Sequence, residues 1–257
     1  MSSSTLGADI MMAIFKAEFS KYFYEVKCYY PDHLVNLLVT YMLFLGFFWG
    51  LSGSTTLYIG FIFWFFSSTV ISEGSLSISY EKQTGTFEQL LLKPVNILLL
   101  LSIRTVVWFL FTFIKVAALL LTIGLTLNLT LPFDIRIIPV LLITLIGLYG
   151  FGMLLSASTL VFTKTASFDG VISYFFLFFT GGVIPLNQLP KGLTMVSELL
   201  PLTKGIQISQ YYAQGIAVTA GDMAQLMLNS GIYFILGLIV FSKCYRYAQE
   251  KGLNGAY

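Results

Sequence analysis

Six stretches of this chain are each apolar enough, and close enough to the needed length, to be read as bilayer-crossing segments. They run over residues 33–51, 56–72, 96–125, 137–162, 168–184 and 224–241. A crossing helix takes about 20 mostly apolar residues, because the hydrocarbon core is about 30 Å thick. No water reaches the backbone N–H and C=O groups there. They must pair within their own segment, so each run is expected to be helical. The 96–125 run exceeds what the core requires and has room to tilt or extend. Composition excludes the alternative of a water-covered globule. Charged residues make up only 10% of the 257, where a soluble domain carries about 25%. The net charge is +2 and no basic run is present, so nucleic acid is not an expected partner.

Orientation follows from the flanking cations. Nine Lys and Arg fall on the side shared by the two termini: Lys16, Lys21, Lys27, Lys82, Lys93, Lys164, Lys243, Arg246 and Lys251. Three fall on the other: Arg136, Lys191 and Lys204. Cytoplasmic loops carry the excess, so both termini of this multi-pass protein are expected in the cytosol. No basic region followed by a short apolar stretch precedes residue 33, and the first span is expected to act as its own insertion signal. Cys28 and Cys244 both fall on the cytosolic side and read as reduced thiols. Neither they nor the single histidine, His33, have metal-ligand spacing, so no metal site is expected.

Ahead of the first span, over residues 8–30, Met12, Phe15, Phe19, Tyr22 and Val26 recur at three- and four-residue steps. Lys16, Ser20, Lys21, Glu25 and Lys27 fall on the opposite face. This pattern predicts an amphipathic helix in the cytosolic interface with its apolar side at the acyl boundary. Pro31 is expected to end it.

Between the second and third spans lies the longest polar stretch, residues 73–96. Thr86-Phe87-Glu88-Gln89 fits a capping box, in which the Thr86 hydroxyl and the Gln89 side chain satisfy each other's free N–H groups. Glu88 falls in the first turn, where the helix dipole favours negative charge. Phe87, Leu90 and Leu91 share a face, and Pro94 disfavours the helical conformation at Lys93. The expected product is a short cytosolic helix after a flexible Gly85, too short to stand alone and built to pack on something else.

The run E-K-Q-T-G-T-F-E-Q-L-L-L-K-P over 81–94 resembles the intracellular segment of the ABC-2 type exporter permeases. That pattern is an acidic residue, Gly-Thr, a hydrophobic residue, Glu, a few apolar residues and Pro; Glu81, Gly85, Thr86, Glu88 and Pro94 match it. The resemblance implies a coupling helix, with Phe87 and Leu91 on its apolar face, that docks in a groove of an ATP-binding subunit. It also implies two ATP-binding subunits, which hold ATP and Mg, and a second permease copy, most simply a homodimer in the cell membrane.

The connection from residue 181 to about 223 opens with GGVIPLNQLP, whose Gly181, Gly182, Pro185 and Pro190 cannot continue a straight helix cheaply. Apolar pieces at 193–200 and 202–212 follow, each too short to span. Irregular backbone at membrane depth is tolerated only where protein or water covers it, so these pieces read as re-entrant external helices lining or capping a cavity. The ABC-2 permeases have a similar outer gate.

Within the spans, Arg104 is expected to snorkel to the cytosolic boundary. Lys115 lies deeper, with pairing to an acid or lining of the substrate route as its possible roles. No Asp or Glu is expected inside a span, because Glu73 and Asp169 fall at cytosolic ends. Phenylalanines crowd the second and fifth spans. In the resembled family these spans line the path, which makes Phe65, Phe66, Phe175 and Phe179 its candidate lining.

The chain has no G-x-x-x-x-G-K-[ST] phosphate loop and no catalytic set, so it is expected to be no enzyme and to take its energy from a separate ATPase. The sum is an all-α integral membrane permease, one ABC-2 type transmembrane domain over residues 1–257. The expected cargo is a drug-like, peptide or lipid-like amphiphile leaving the cytoplasm, with a lipid-linked polysaccharide as the alternative. A non-transporting membrane sensor or scaffold is the reading from a different class.

Overall fold

The computed structural model describes residues 3–50, 57–86, 89, 96–128, 133–161 and 166–252. Among these residues the regular structure is helical throughout, with no strand. The helices are α1 (Ser3–Cys28), α2 (Tyr30–Gly50), α3 (Leu57–Gln83), α4 (Ile97–Leu127), α5 (Ile137–Val161) and α6 (Ala166–Phe179). A 3-10 turn at Leu186–Gln188 leads to α7 (Lys191–Leu199), α8 (Pro201–Ala213) and α9 (Ala220–Gly252).

Five of the described helices, α2, α3, α4, α5 and α9, are long and apolar enough to cross a membrane. The sixth expected span is different. The described part of α6 has 14 residues and reaches about 21 Å at 1.5 Å per residue, less than the hydrocarbon thickness. It stops before Gly181, whose φ of 84° lies in the left-handed region where a helix cannot continue.

Helix α3 runs well past the expected end at 72. Ser75, Ile78 and Ser79 fall at i, i+3, i+4 and are buried, so a polar sequence keeps a packed helical face. Glu73 therefore sits inside a long helix rather than at its end. Helix α3 is the central element and touches α2, α4, α5, α6 and α8. Phe66 packs on Phe113 of α4 at a ring distance of 4.6 Å. The Trp64 indole donates to the Ser173 carbonyl of α6 at 2.9 Å, and the Ser75 and Thr159 hydroxyls meet at 2.8 Å across to α5.

Helix α1 lays part of its apolar face on α4. Phe15, Tyr22 and Val26 pack on Val107, Trp108 and Phe111 of α4, while Met12 and Phe19 stay exposed. Phe19 and Tyr22 lie 5.3 and 4.8 Å from the Phe111 ring. The chain breaks at Tyr29, and Pro31 falls in the first turn of α2, where its missing N–H has no helical partner to lose.

Helices α5 and α9 meet backbone to backbone. A Cβ on Gly150 would overlap the backbone at Tyr233, and one on Gly237 would overlap Gly150. Small residues allow this approach, and packing is what holds helices together where lipid is as apolar as the side chains. Gly150→Val and Gly237→Val should each therefore force the helices apart, at a cost of about 1–3 kcal/mol or more. Thermal unfolding in detergent checks this. Gly231→Ala, with nothing within 4 Å of its Cβ position, should unfold at or slightly above the wild-type temperature.

Candidate functional site

The Gln83 end of α3 leads directly into the segment that carries the sequence motif. Its termination is specific. The Gly85 N–H bonds the Lys82 carbonyl at 3.2 Å and the Thr86 N–H bonds the Glu81 carbonyl at 3.0 Å. With φ of 71° at Gly85, this is a Schellman cap, in which a left-handed glycine lets two N–H groups fold back on the last turn. Gly85 is thus a helix terminator, and not merely flexible as the sequence suggested. The Thr86 N–H is also spent on Glu81, so Gln89 does not take it as the capping box requires. Glu81, Gly85 and Thr86 are described, whereas Phe87, Glu88, Leu91 and Pro94 lie outside the described residues.

Two cations hold this end of α3 from opposite sides. Arg104 of α4 is met by groups from two other helices. Its Nε donates to Glu18 of α1 at 3.0 Å, and its Nη1 donates to Glu81 at 2.9 Å and Ser77 at 2.7 Å, both on α3. The guanidinium is largely shielded from solvent, so its charge is met by two carboxylates from two helices. On the other side, Lys82 Nζ donates to the Thr159 and Leu160 carbonyls at 3.0 and 2.6 Å. These carbonyls belong to the last described turn of α5.

Next to this junction a cavity of about 800 Å³ opens between α1, α3 and α4, lined by Glu18, Glu25, Glu73, Glu81 and Arg104 among others. Deeper along α4, Lys115 Nζ lies 3.5 Å from the Tyr22 hydroxyl and 3.3 Å from His33 Nδ1. It also feels the carboxylates of Glu73 and Glu25. Lys115 is therefore not isolated, since Tyr22 and His33 meet its ammonium. Asp169 is likewise not at a cheap, exposed position. It is buried in the first turn of α6, with Ser75 as a hydrogen-bond partner.

At the other end of α3, Gly60 touches Gly182 directly; a Cβ on Gly182 would lie 2.9 Å from Gly60 Cα. Gly181, Gly182 and Pro185 come together in the wall of a second cavity of about 620 Å³. Pro190 precedes α7 and accepts the Thr194 N–H at 3.0 Å. Beside this region Arg136 is paired with Asp134 and lies 4.6 Å over the Tyr212 ring. That hydrogen bonding holds the Asp134 carboxyl below the usual carboxylate range. The four phenylalanines are not brought to this cavity. Phe65 and Phe66 are buried in the core, and the Phe175 and Phe179 rings, both half-buried, lie 4.8 Å apart and tilted to each other.

Glu18, Ser77 and Lys82 were not picked out as site residues from the sequence. Nothing in spacing alone pairs residues 18, 81 and 104. An unpaired arginine inside an apolar run was the one available signal that carboxylates must come to it.

Two substitutions test the junction. Gly85→Ala should destabilise the cap by about 1–2 kcal/mol, the cost of a left-handed residue with a Cβ, and Gly85→Asn by less. No atom crowds that position, so backbone conformation alone sets the difference. Arg104→Ala should cost on the order of 3 kcal/mol, because it strands Glu18 and Glu81 together. Adding Glu18→Gln and Glu81→Gln should restore much of the loss, and thermal unfolding of the purified variants reads both.

The family model for the ABC-2 type transporter matches residues 11–213, from within α1 to the end of α8. No curated protein is matched by the sequence. The match covers most of the chain, and five apolar helices of crossing length accompany it. The chain therefore belongs to the ABC-2 type transporter family and is a multi-pass membrane permease.

Proposed function

We propose that this chain is the membrane half of an ATP-driven exporter, with both termini in the cytosol and a separate ATP-binding subunit below each of two permease copies. The observation that carries the reading is the junction at Glu81. The end of α3 that enters the 81–94 segment is tied to α1 and α4 through Arg104, and to α5 through Lys82. A docked coupling helix can push on the membrane helices only if its root is held firmly. ATP and Mg belong to the partner, whose closure would move this root.

Helix α3 would carry that movement outward. Its 27 residues span about 40 Å, and its far end meets Gly182 at the outer cavity. In this reading α7 and α8 are the external gate, α6 with the turn after it completes the sixth crossing, and α1 is the interfacial helix. The exposed apolar residues Leu34, Val35, Leu38 and Met42 of α2, with Val171 and Tyr174 of α6, suit a second copy across the transport path. The Phe47 and Phe178 rings, 5.6 Å apart, hold α2 beside α6 on that side. The cargo class is an amphiphile that is drug-like, peptide or lipid-like, with a lipid-linked polysaccharide as the alternative.

Solubilised from its native membrane, the tagged chain should bring down an ATP-binding subunit in equal number. Glu88→Arg should leave expression of the permease unchanged and abolish both copurification and transport. Recovery of the permease with no ATPase would overturn the exporter reading. Unchanged transport by the Glu88→Arg variant would overturn the coupling assignment alone.

A further inference from the structure

The outer cavity has an unusual chemistry for so apolar a chain. Four of the eight glutamines in the sequence, Gln188, Gln207, Gln210 and Gln214, line it, together with Asn187 and Tyr211. No Asp, Glu, Lys or Arg is among the described residues of its wall. Gln207 and Gln210 on α8 and Gln214, the residue that caps its C-terminal end, recur at steps of three and four and all line the cavity.

A surface that needs only to be wet is ordinarily served by charged side chains, and α7 and α8 carry Lys191, Glu198 and Lys204 outside the cavity wall. Amides differ from these in offering donors and acceptors together without charge. Several are already positioned. Gln207 accepts from Lys204 at 3.2 Å and donates to the Tyr211 hydroxyl at 2.9 Å. Gln210 donates to the Gly181 carbonyl at 3.3 Å, which leaves its own oxygen as an acceptor. Among the described residues, no hydrogen bond engages the side chains of Asn187, Gln188 or Gln214. Leu57, Val183, Pro185, Leu186 and Ile206 supply apolar surface beside them. The volume, about 620 Å³, lies in the range of small-molecule sites.

We infer that this cavity is a binding site for an uncharged, hydroxyl-rich head group, such as a sugar or polyol. Hydroxyls, like amides, both donate and accept, and the carbon faces of a sugar ring suit the apolar wall beside the amides. A cationic head group would meet no counter-charge in this wall, and the one cation at its edge, Lys204, is already engaged by Gln207. As an exit subsite the inference rests on the export reading above, and it then sharpens the cargo to an amphiphile with a neutral glycan or polyol head.

The site is tested without transport. Saturation-transfer NMR on the full chain in lipid nanodiscs would use maltotriose as the neutral hydroxyl-rich probe. Acetyl-tetraglycine amide, choline and succinate serve as the amide-rich, cationic and anionic probes. Maltotriose alone should give a strong signal. Gln210→Leu with Gln214→Leu should weaken its binding at least tenfold, whereas Gln225→Leu, outside the cavity, should leave it unchanged. Gln214 is exposed, so Gln214→Trp is a second variant with little folding risk, and it should block the probe. The site is overturned if maltotriose does not bind, as when a second copy fills the cavity. Equal binding of the peptide or of a charged probe, or binding that survives both cavity variants, overturns it as well. An active exporter that fails these tests refutes this site alone, and binding by a chain that fails to transport refutes only the export reading.

Discussion

A guanidinium in a protein interior must be met by counter-charge and hydrogen bonds, and Arg104 meets this demand with groups from two other helices. Glu18 comes from α1, and Glu81 and Ser77 come from α3. The cost of breaking one member is large because the others remain buried and unmatched. This requirement fixes α1 against α4 and sets the end of α3 beside them. The aromatic packing of Tyr22 and Phe19 on Phe111 adds area to the same contact. Lys82 closes the other flank by donating to the Thr159 and Leu160 carbonyls of α5.

With that junction in place, the rest of α3 acquires a direction. The helix is continuous from Leu57 to Gln83, and the Schellman cap at Gly85 marks a sharp end to it. Its outer end lies against Gly182 with no side chain between the two backbones. Contacts this close transmit displacement, since neither backbone can move toward the other without overlap. One helix therefore joins the junction next to the family motif to the wall of the amide-lined cavity. The proposed transport cycle uses that connection.

The sequence made the helical, membrane-spanning class legible because apolar runs of crossing length leave the backbone one way to satisfy itself. The family motif at 81–94 was equally legible, being contiguous. Helix ends were less so. Hydropathy falls after Ser72, yet α3 continues, because Ser75, Ile78 and Ser79 pack on a partner that hydropathy does not see. Helix α1 was recognised as amphipathic, but an amphipathic face does not say whether lipid or another helix will cover it, and α4 covers part of this one. The charges at Arg104 and Lys115 were flagged as costly. Their partners, Glu18 and Glu81 for the first and Tyr22 and His33 for the second, come from helices far away in sequence. The glutamines of the outer cavity carried no reading in the sequence, because only the fold puts Asn187 and Gln188 in one wall with Gln207, Gln210 and Gln214.

The central claim is that the root of the coupling segment moves as one body with α1 and that α3 delivers its movement to the outer cavity. Paired spin labels can read both parts in the reconstituted transporter, after Cys28 and Cys244 are replaced by serine. Labels at positions 21 and 83 report α1 against the end of α3, and labels at 188 and 214 report the outer cavity. When ATP binds, the distance between 21 and 83 should stay the same and that between 188 and 214 should change. A lengthening between 21 and 83, or an outer cavity that keeps its dimensions while transport proceeds, would contradict the account.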